Sequence, residues 1–211
     1  MPTATYGVAV SAGGVSIQQT IQRSSDGPIA LETSLAAGKT VTSWVKTDAN
    51  TAACDLPAGH GYANGNFDVF WSSGGVNYAR YGVAGTITTN ALALDGGAGD
   101  DFPASATTGV VVCRQTQANL LVDGDNLKIL AVVVESTDPN STSTASVMFE
   151  DAAGDTIAQL DLVANKPQVF DVAGGSSNPF TGDVITNLLM GNGSASESLT
   201  LKVVGMQDAT P

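Results

Sequence analysis

The sequence predicts an all-β protein: a jelly-roll-like β-sandwich with a smaller β-barrel module. Three observations support this. Short segments in which apolar and polar residues alternate recur about every 8–12 residues, as in sandwiches and barrels. Clusters of Gly, Asn, Asp and Pro separate them. Apolar residues at the three- and four-residue spacing of a helix are nearly absent.

In chain order, strands are predicted at residues 6–10 (YGVAV), 15–21 (VSIQQTI), 41–45 (VTSWV), 67–71 (FDVFW), 78–87 (YARYGVAGTI), 91–94, 110–114 and 127–134. Four more follow at 145–149, 156–162, 168–172 and 198–204. The AGG at 12–14 and SGG at 73–75 sit where tight hairpins require positive φ. Residues 181–190 (TGDVITNLLM) read equally as a helix, with Thr181 as N-cap and Gly191 past the C-terminus, or as a strand.

Residues 40–115 hold both Trp, the single His and both Cys, whereas the flanks carry plain Val, Leu, Ile and Thr alternation. The expected organisation is therefore a discontinuous sandwich, 1–38 with 116–211, and a small barrel module at 39–115. Two sequential domains divided near residue 118 are the alternative.

Composition narrows the functional classes. The chain has 211 residues, enough for a large β-domain core, and 43% of them are apolar. Only 13% are charged, about half the usual share, so Ser, Thr, Asn and Gln must supply most of the polar surface. Such short side chains lose little entropy when ordered against a neighbour, which suits packing against copies or a shell. Twenty acidic and 8 basic residues give a net charge of −12, which opposes nucleic-acid binding. The start, MPTATYGVAVSAGG, lacks the basic and apolar regions of a secretion signal. The longest apolar run, ILAVVV at 129–134, is far below membrane-spanning length. The expectations are no nucleic-acid and no membrane partner, with synthesis in a cytoplasm. Cys54 and Cys113 are expected as two reduced thiols.

The one stretch that resembles a chemical site is DGGAGDDFP at 95–103. Asp95, Asp100 and Asp101 are the candidate metal ligands, with calcium the candidate ion. Their spacing is uneven, however, and the next glutamate is the distant Glu135. The preferred reading is an acidic turn without a cofactor, stapled to the core by Phe102 and Pro103. VDGDN at 122–126 and EDAAGD at 150–155 are read as turns as well. His60, in PAGHGYANG, has none of the companions of a zinc site and is expected to bond locally within a turn. There is no GxSxG elbow, no GxxxxGK[ST] and no GxGxxG after a strand, so no catalytic residue is assigned and the chain is read as a non-enzyme. A hydrolase using Asp100 or Asp101 would lack a partner acid or base nearby. In FDVFW, alternation directs Phe67, Val69 and Trp71 one way and Asp68 and Phe70 the other. Phe67, Val69, Trp71 and Phe102 are the expected subunit-interface residues.

Two segments carry a resemblance. AGHGYANGNFDVFW (58–71) resembles the "HG…G-D-x-V" hairpin of small β-barrel modules in tailed-phage structural proteins, with Asn66 and Phe67 standing between Gly65 and Asp68. NPFTGDVITNLLMGNGSASESLTLKVVGMQDATP (178–211) is similar to the end of compact all-β phage virion proteins. The resemblance implies a virion building block whose partners are copies of itself and capsid or tail proteins. A capsid decoration or cement protein is the first expectation. A tail tube or fibre-associated component is the second; tube proteins of that kind carry a long hairpin and a flanking helix. A calcium-stabilised carbohydrate-binding β-sandwich, using DGGAGDD and the aromatic strand, is the alternative from another class.

Overall fold

The computed structural model describes residues 4–12, 15–23, 25–97, 102–119, 127–170, 185 and 187–208. Every regular element among them is a β-strand, so the protein is all-β. The chain divides into two compact units. The first comprises Met1–Leu35, Gln117–Met190 and Ser198–Pro211; the second comprises Ala36–Thr116 and Gly191–Glu197.

The first unit begins with β1 (Ala4–Ala12) and β2 (Val15–Arg23), an antiparallel hairpin, followed by β3 (Ser25–Leu35). The second unit then supplies β4 (Lys39–Thr40), β5 (Ser43–Lys46), β6 (Thr51–Asp55), β7 (Gly65–Ser73), β8 (Val76–Thr88), β9 (Ala91–Asp95) and β10 (Val111–Arg114). The chain continues with β11 (Thr116–Asn119), β12 (Leu127–Glu135), β13 (Thr144–Glu150), β14 (Thr156–Val163), β15 (Gln168–Val169), β16 (Asn187–Asn192) and β17 (Leu199–Asp208). The described part of the ambiguous 181–190 segment, Asn187–Met190, is strand. Its Leu188 and Met190 alternate into the core, which settles the period at two.

Two four-stranded sheets build the sandwich, in the orders β11-β16-β13-β14 and β15-β12-β17-β3. Their inner faces meet in one cluster: Ala145, Val147 and Phe149 from β13, and Leu199, Leu201 and Val203 from β17. In β17 every second residue is buried, as a strand with one face on the core requires; in β13 the intervening Ser146 is buried as well. In β12 the pairing with β17 shifts between Ile129 and Ala131. That bulge keeps Ile129, Val132 and Val134 together in the main core and places Ala131 and Val133 in a separate small cluster with Val204. Ile129, Ala131, Val132, Val133 and Val134 are therefore buried across both faces of β12, with β1 lying against it.

The second unit is a single curled antiparallel sheet of seven strands, ordered β4-β10-β7-β8-β9-β6-β5. Its concave side encloses a core that includes Trp44, Leu56, Phe67, Val83, Leu94 and Val112. Alternation is regular in β6 and β9, where Ala52, Cys54, Leu92 and Leu94 turn inward and their neighbours outward. It fails in β7. The β7–β8 register shifts between Phe67 and Val69, and Phe67, Asp68, Val69 and Phe70 are all buried. The face of β7 that alternation assigns to solvent is covered by the short piece Gly191–Glu197. Asn192 N–H donates to Cys113 Sγ at 3.4 Å, Gly38 N–H donates to Ser194 O at 2.7 Å, and Gly191 lies directly on the Asp68 carboxylate.

Candidate functional site

The acidic turn is the first place to look for chemistry. Asp95 ends β9 and is exposed; its Oδ1 accepts the Gly97 N–H at 2.9 Å, while Gly97 takes φ +68°. This is an aspartate capping its own turn. Asp100 and Asp101 lie outside the described residues. Among the described residues no three His, Cys, Asp or Glu side chains gather as metal ligands. Phe102 is buried edge-on to Trp44, with ring centroids 5.9 Å apart, and Trp44 Nε1–H donates to Pro103 O at 2.9 Å. The end of the loop is thereby tied to the core.

His60 bonds on both ring nitrogens. Tyr62 N–H donates to Nδ1 at 2.9 Å, and Nε2 lies 3.0 Å from the Thr89 carbonyl, which fixes the neutral tautomer with its proton on Nε2. The ring bridges the Gly59–Gly61 loop to the tight β8–β9 turn, where Thr89 itself has φ +56°. The Tyr62 hydroxyl reaches Val112 O at 3.3 Å, its ring packs edge-on to Phe67, and burial raises its pKa. Both cysteines are free and buried. Burial pushes the Cys54 thiol up to about 12 and the Cys113 thiol up to about 11, so both are protonated and unreactive at neutral pH.

The four expected interface residues part company. Phe67 and Val69 are 0% exposed and Phe102 is 6% exposed, so these three are corrected to core residues of their own unit. The cause is the curl of the sheet, which closes over the base of β7. Trp71 is half-buried, packed against the edge of the same core and stacked on Tyr78 at 5.7 Å with 13° between the rings.

Trp71 belongs to a feature that alternation alone does not reveal. The ladder between β7 and β10 ends at Phe70, and the ladder between β8 and β9 begins at Ala84. Among the described residues, Trp71, Ser72 and Ser73 therefore pair with Val76, Asn77 and Tyr78 alone, as a short two-stranded arm. A two-residue turn, Gly74 at φ +60° and Gly75 at φ +79°, closes it and sets Ser73 opposite Val76, Ser72 opposite Asn77 and Trp71 opposite Tyr78. Val76 and Tyr78 are 53% and 45% exposed. SGG at 73–75 held the signal: a two-residue loop fixes the register and hence the aromatic pair.

At the base of the same hairpin, the outer face of the sheet carries a trough of about 470 Å³. Ala53, Ala84 and Ala93 form its floor, Thr51 and Asn66 stand at its sides, and Asp95 is its charged lining residue. These positions come into register across β6, β9, β8 and β7: Ala53 pairs with Ala93 and Ala93 with Thr86, while Thr51 pairs with Asp95, Asp95 with Ala84 and Ala84 with Asn66. The volume lies within the range of small-ligand and side-chain pockets.

No family model and no curated protein matches the chain. Among solved structures, the major capsid protein P2 of bacteriophage PM2 aligns with 86% of this chain and 98% of its own length, at 11% identity and a TM-score of 0.25. A superposition at that score does not establish a shared topology.

Proposed function

We propose that this chain is a non-enzymatic virion building block, a capsid decoration or cement protein that packs against copies of itself and onto a shell. The observation that carries the reading is the outer face of the second unit. On β5, β6, β9 and the base of β8, the outward residues are Ser, Thr, Ala, Val and Asp, with Val45, Ala53, Ala93 and Thr86 forming one continuous row. No lysine, arginine or glutamate stands among them. A sheet face meant only for water is ordinarily guarded by long charged side chains. A face of short side chains admits a neighbour closely and at little entropic cost. The net charge of −12 suits contact with basic patches on a shell. The resemblance of segments 58–71 and 178–211 to phage structural proteins points the same way.

A tail component is the second reading, and the β7–β8 hairpin favours it, since a long hairpin is expected of tube proteins. The flanking helix expected alongside it has no counterpart in Asn187–Met190, which is strand.

Size-exclusion chromatography with light scattering, at two protein concentrations with and without calcium, tests the reading. A trimer or larger ring indifferent to calcium is the expected result. A monomer whose melting temperature climbs on adding calcium would overturn it and direct attention to glycan binding.

A further inference from the structure

We propose that copies of this chain join head to tail through their second units, the aromatic tip of the β7–β8 arm of one copy seating in the alanine-floored trough of the next. This rests on the building-block reading and names the contact it would use.

The arm has the composition of a buried element. Val76 and Tyr78 are two of the four large apolar side chains exposed among the described residues, and both lie at its tip. Together with Trp71 they occupy register positions alternating with Ser72 and Asn77, so that one side of the tip is apolar and the other polar. In a chain with 20 acidic residues, the stretch WSSGGVNYARYGV at 71–83 contains no carboxylate and one cation, Arg80, whose guanidinium donates to Gly96 O.

The trough suits the arm in polarity and charge. Its alanine floor offers methyl groups to flat rings, its threonine and asparagine sides offer partners to Ser72, Ser73 and Asn77, and its one charged lining residue is Asp95. An arm free of carboxylates enters without like-charge repulsion. Apposing two trough faces would instead bring Asp55 and Asp95 of both copies into one contact, where paired carboxylates repel.

The contact must be intermolecular. Asn66, in the trough, and Ser73, at the arm tip, are seven positions apart on one strand, a separation of roughly 20 Å. No unit can therefore fill its own trough. Each copy offers one arm and one trough, a heterologous pair that propagates until it closes into a ring or runs on as an open array.

Two full-length variants test this. Val76→Thr with Tyr78→Thr disarms the tip at exposed strand positions, and Ala93→Arg blocks the trough from an exposed position; Ala53→Arg serves if Ala93→Arg fails to fold. Circular dichroism establishes folding, and sedimentation velocity reads assembly. The wild type should assemble, each variant alone should lose roughly tenfold or more in association, the scale of an interface anchor, and an equimolar mixture of the two should give dimers and nothing larger. That last result follows because one intact arm then meets one intact trough. Wild-type assembly unchanged by either variant, or a mixture that stays monomeric, would overturn the arm-in-trough contact and leave the building-block reading standing. A wild type that is monomeric throughout would overturn both.

Discussion

The Phe67 ring lies against Gly85, two positions along β8 from its register partner Val83, and neither has room to change. A Cβ on Gly85 would overlap the Phe67 ring and press on Leu92 at 3.0 Å. Gly85→Ala is expected to cost about 1–3 kcal/mol as an overpacked site, and Phe67→Ala about 3–5 kcal/mol as a cavity beneath Tyr62, each read from urea unfolding. The buried thiols make a second residue-scale prediction. Their ordinary value is 9.0, and the folded state raises Cys54 to about 12 and Cys113 to about 11. The folded protein therefore holds these protons more tightly than the unfolded chain does. Their contribution to stability is complete below pH 9.0 and is lost as the pH climbs through that value towards about 11 and 12. Denaturant midpoints should fall across that window, less so in Cys54→Ala and Cys113→Ala. Iodoacetamide at pH 8 should label neither thiol until the chain is unfolded. The sequence made both cysteines legible as reduced thiols from their apolar neighbours. It gave no sign that Cys113 would accept a bond from Asn192, a partner 79 positions away.

At the scale of the element, turns were the most legible feature and faces the least. Gly74-Gly75 fits the two-residue hairpin loop so closely that pairing follows from it directly. Gly74→Val should cost about 1–2 kcal/mol, because a β-branched residue is poorly tolerated at positive φ. It should also loosen the Trp71–Tyr78 stack, visible as a change in near-ultraviolet circular dichroism. Alternation sorts the β7 side chains correctly, Phe67 and Val69 into the core with Trp71 packed against it, and errs only in presuming one wet side. The register shift beside Asp68 falls on β8, which carries the extra residue, while the β7–β10 ladder runs unbroken. The presumption of a wet side fails because Asp68 is 0% exposed, its Oδ1 accepting from Gln115 Nε2 at 2.7 Å and from Gly82 N–H at 3.1 Å. Such partners come from distant sequence, so no local pattern announces them.

At the scale of the whole molecule, net charge sets the salt dependence expected of the proposed assembly. Copies carrying a net charge of −12 repel one another, and salt screens that repulsion over about 10 Å at 0.1 M. Self-association should therefore strengthen as sodium chloride is raised, whereas docking on a basic shell should weaken; sedimentation velocity and co-sedimentation separate the two. The division into compact units adds a further consequence. Gly191–Glu197 lies with the second unit although its neighbours on both sides lie with the first. A Cβ on Gly191 would meet the Asp68 carboxylate, so Gly191→Ala should destabilise the second unit by about 1–3 kcal/mol, read from its own unfolding transition.

By itself the sequence determined the all-β class, most strand positions, the tight turns and the character of a surface poor in charge, because each of these is written in residue types at short range. Period two, glycine at positive φ and the scarcity of Lys and Glu need no distant partner to be read. Only the tertiary structure decided which side of each strand is dry. Phe67, Val69 and Phe102 became core because a seven-stranded sheet curls over them, and Trp71 is only half-buried at the edge of that core because the neighbouring ladders stop short of it. Burial is a property of what the chain brings together from far apart, and alternation records only that two faces exist.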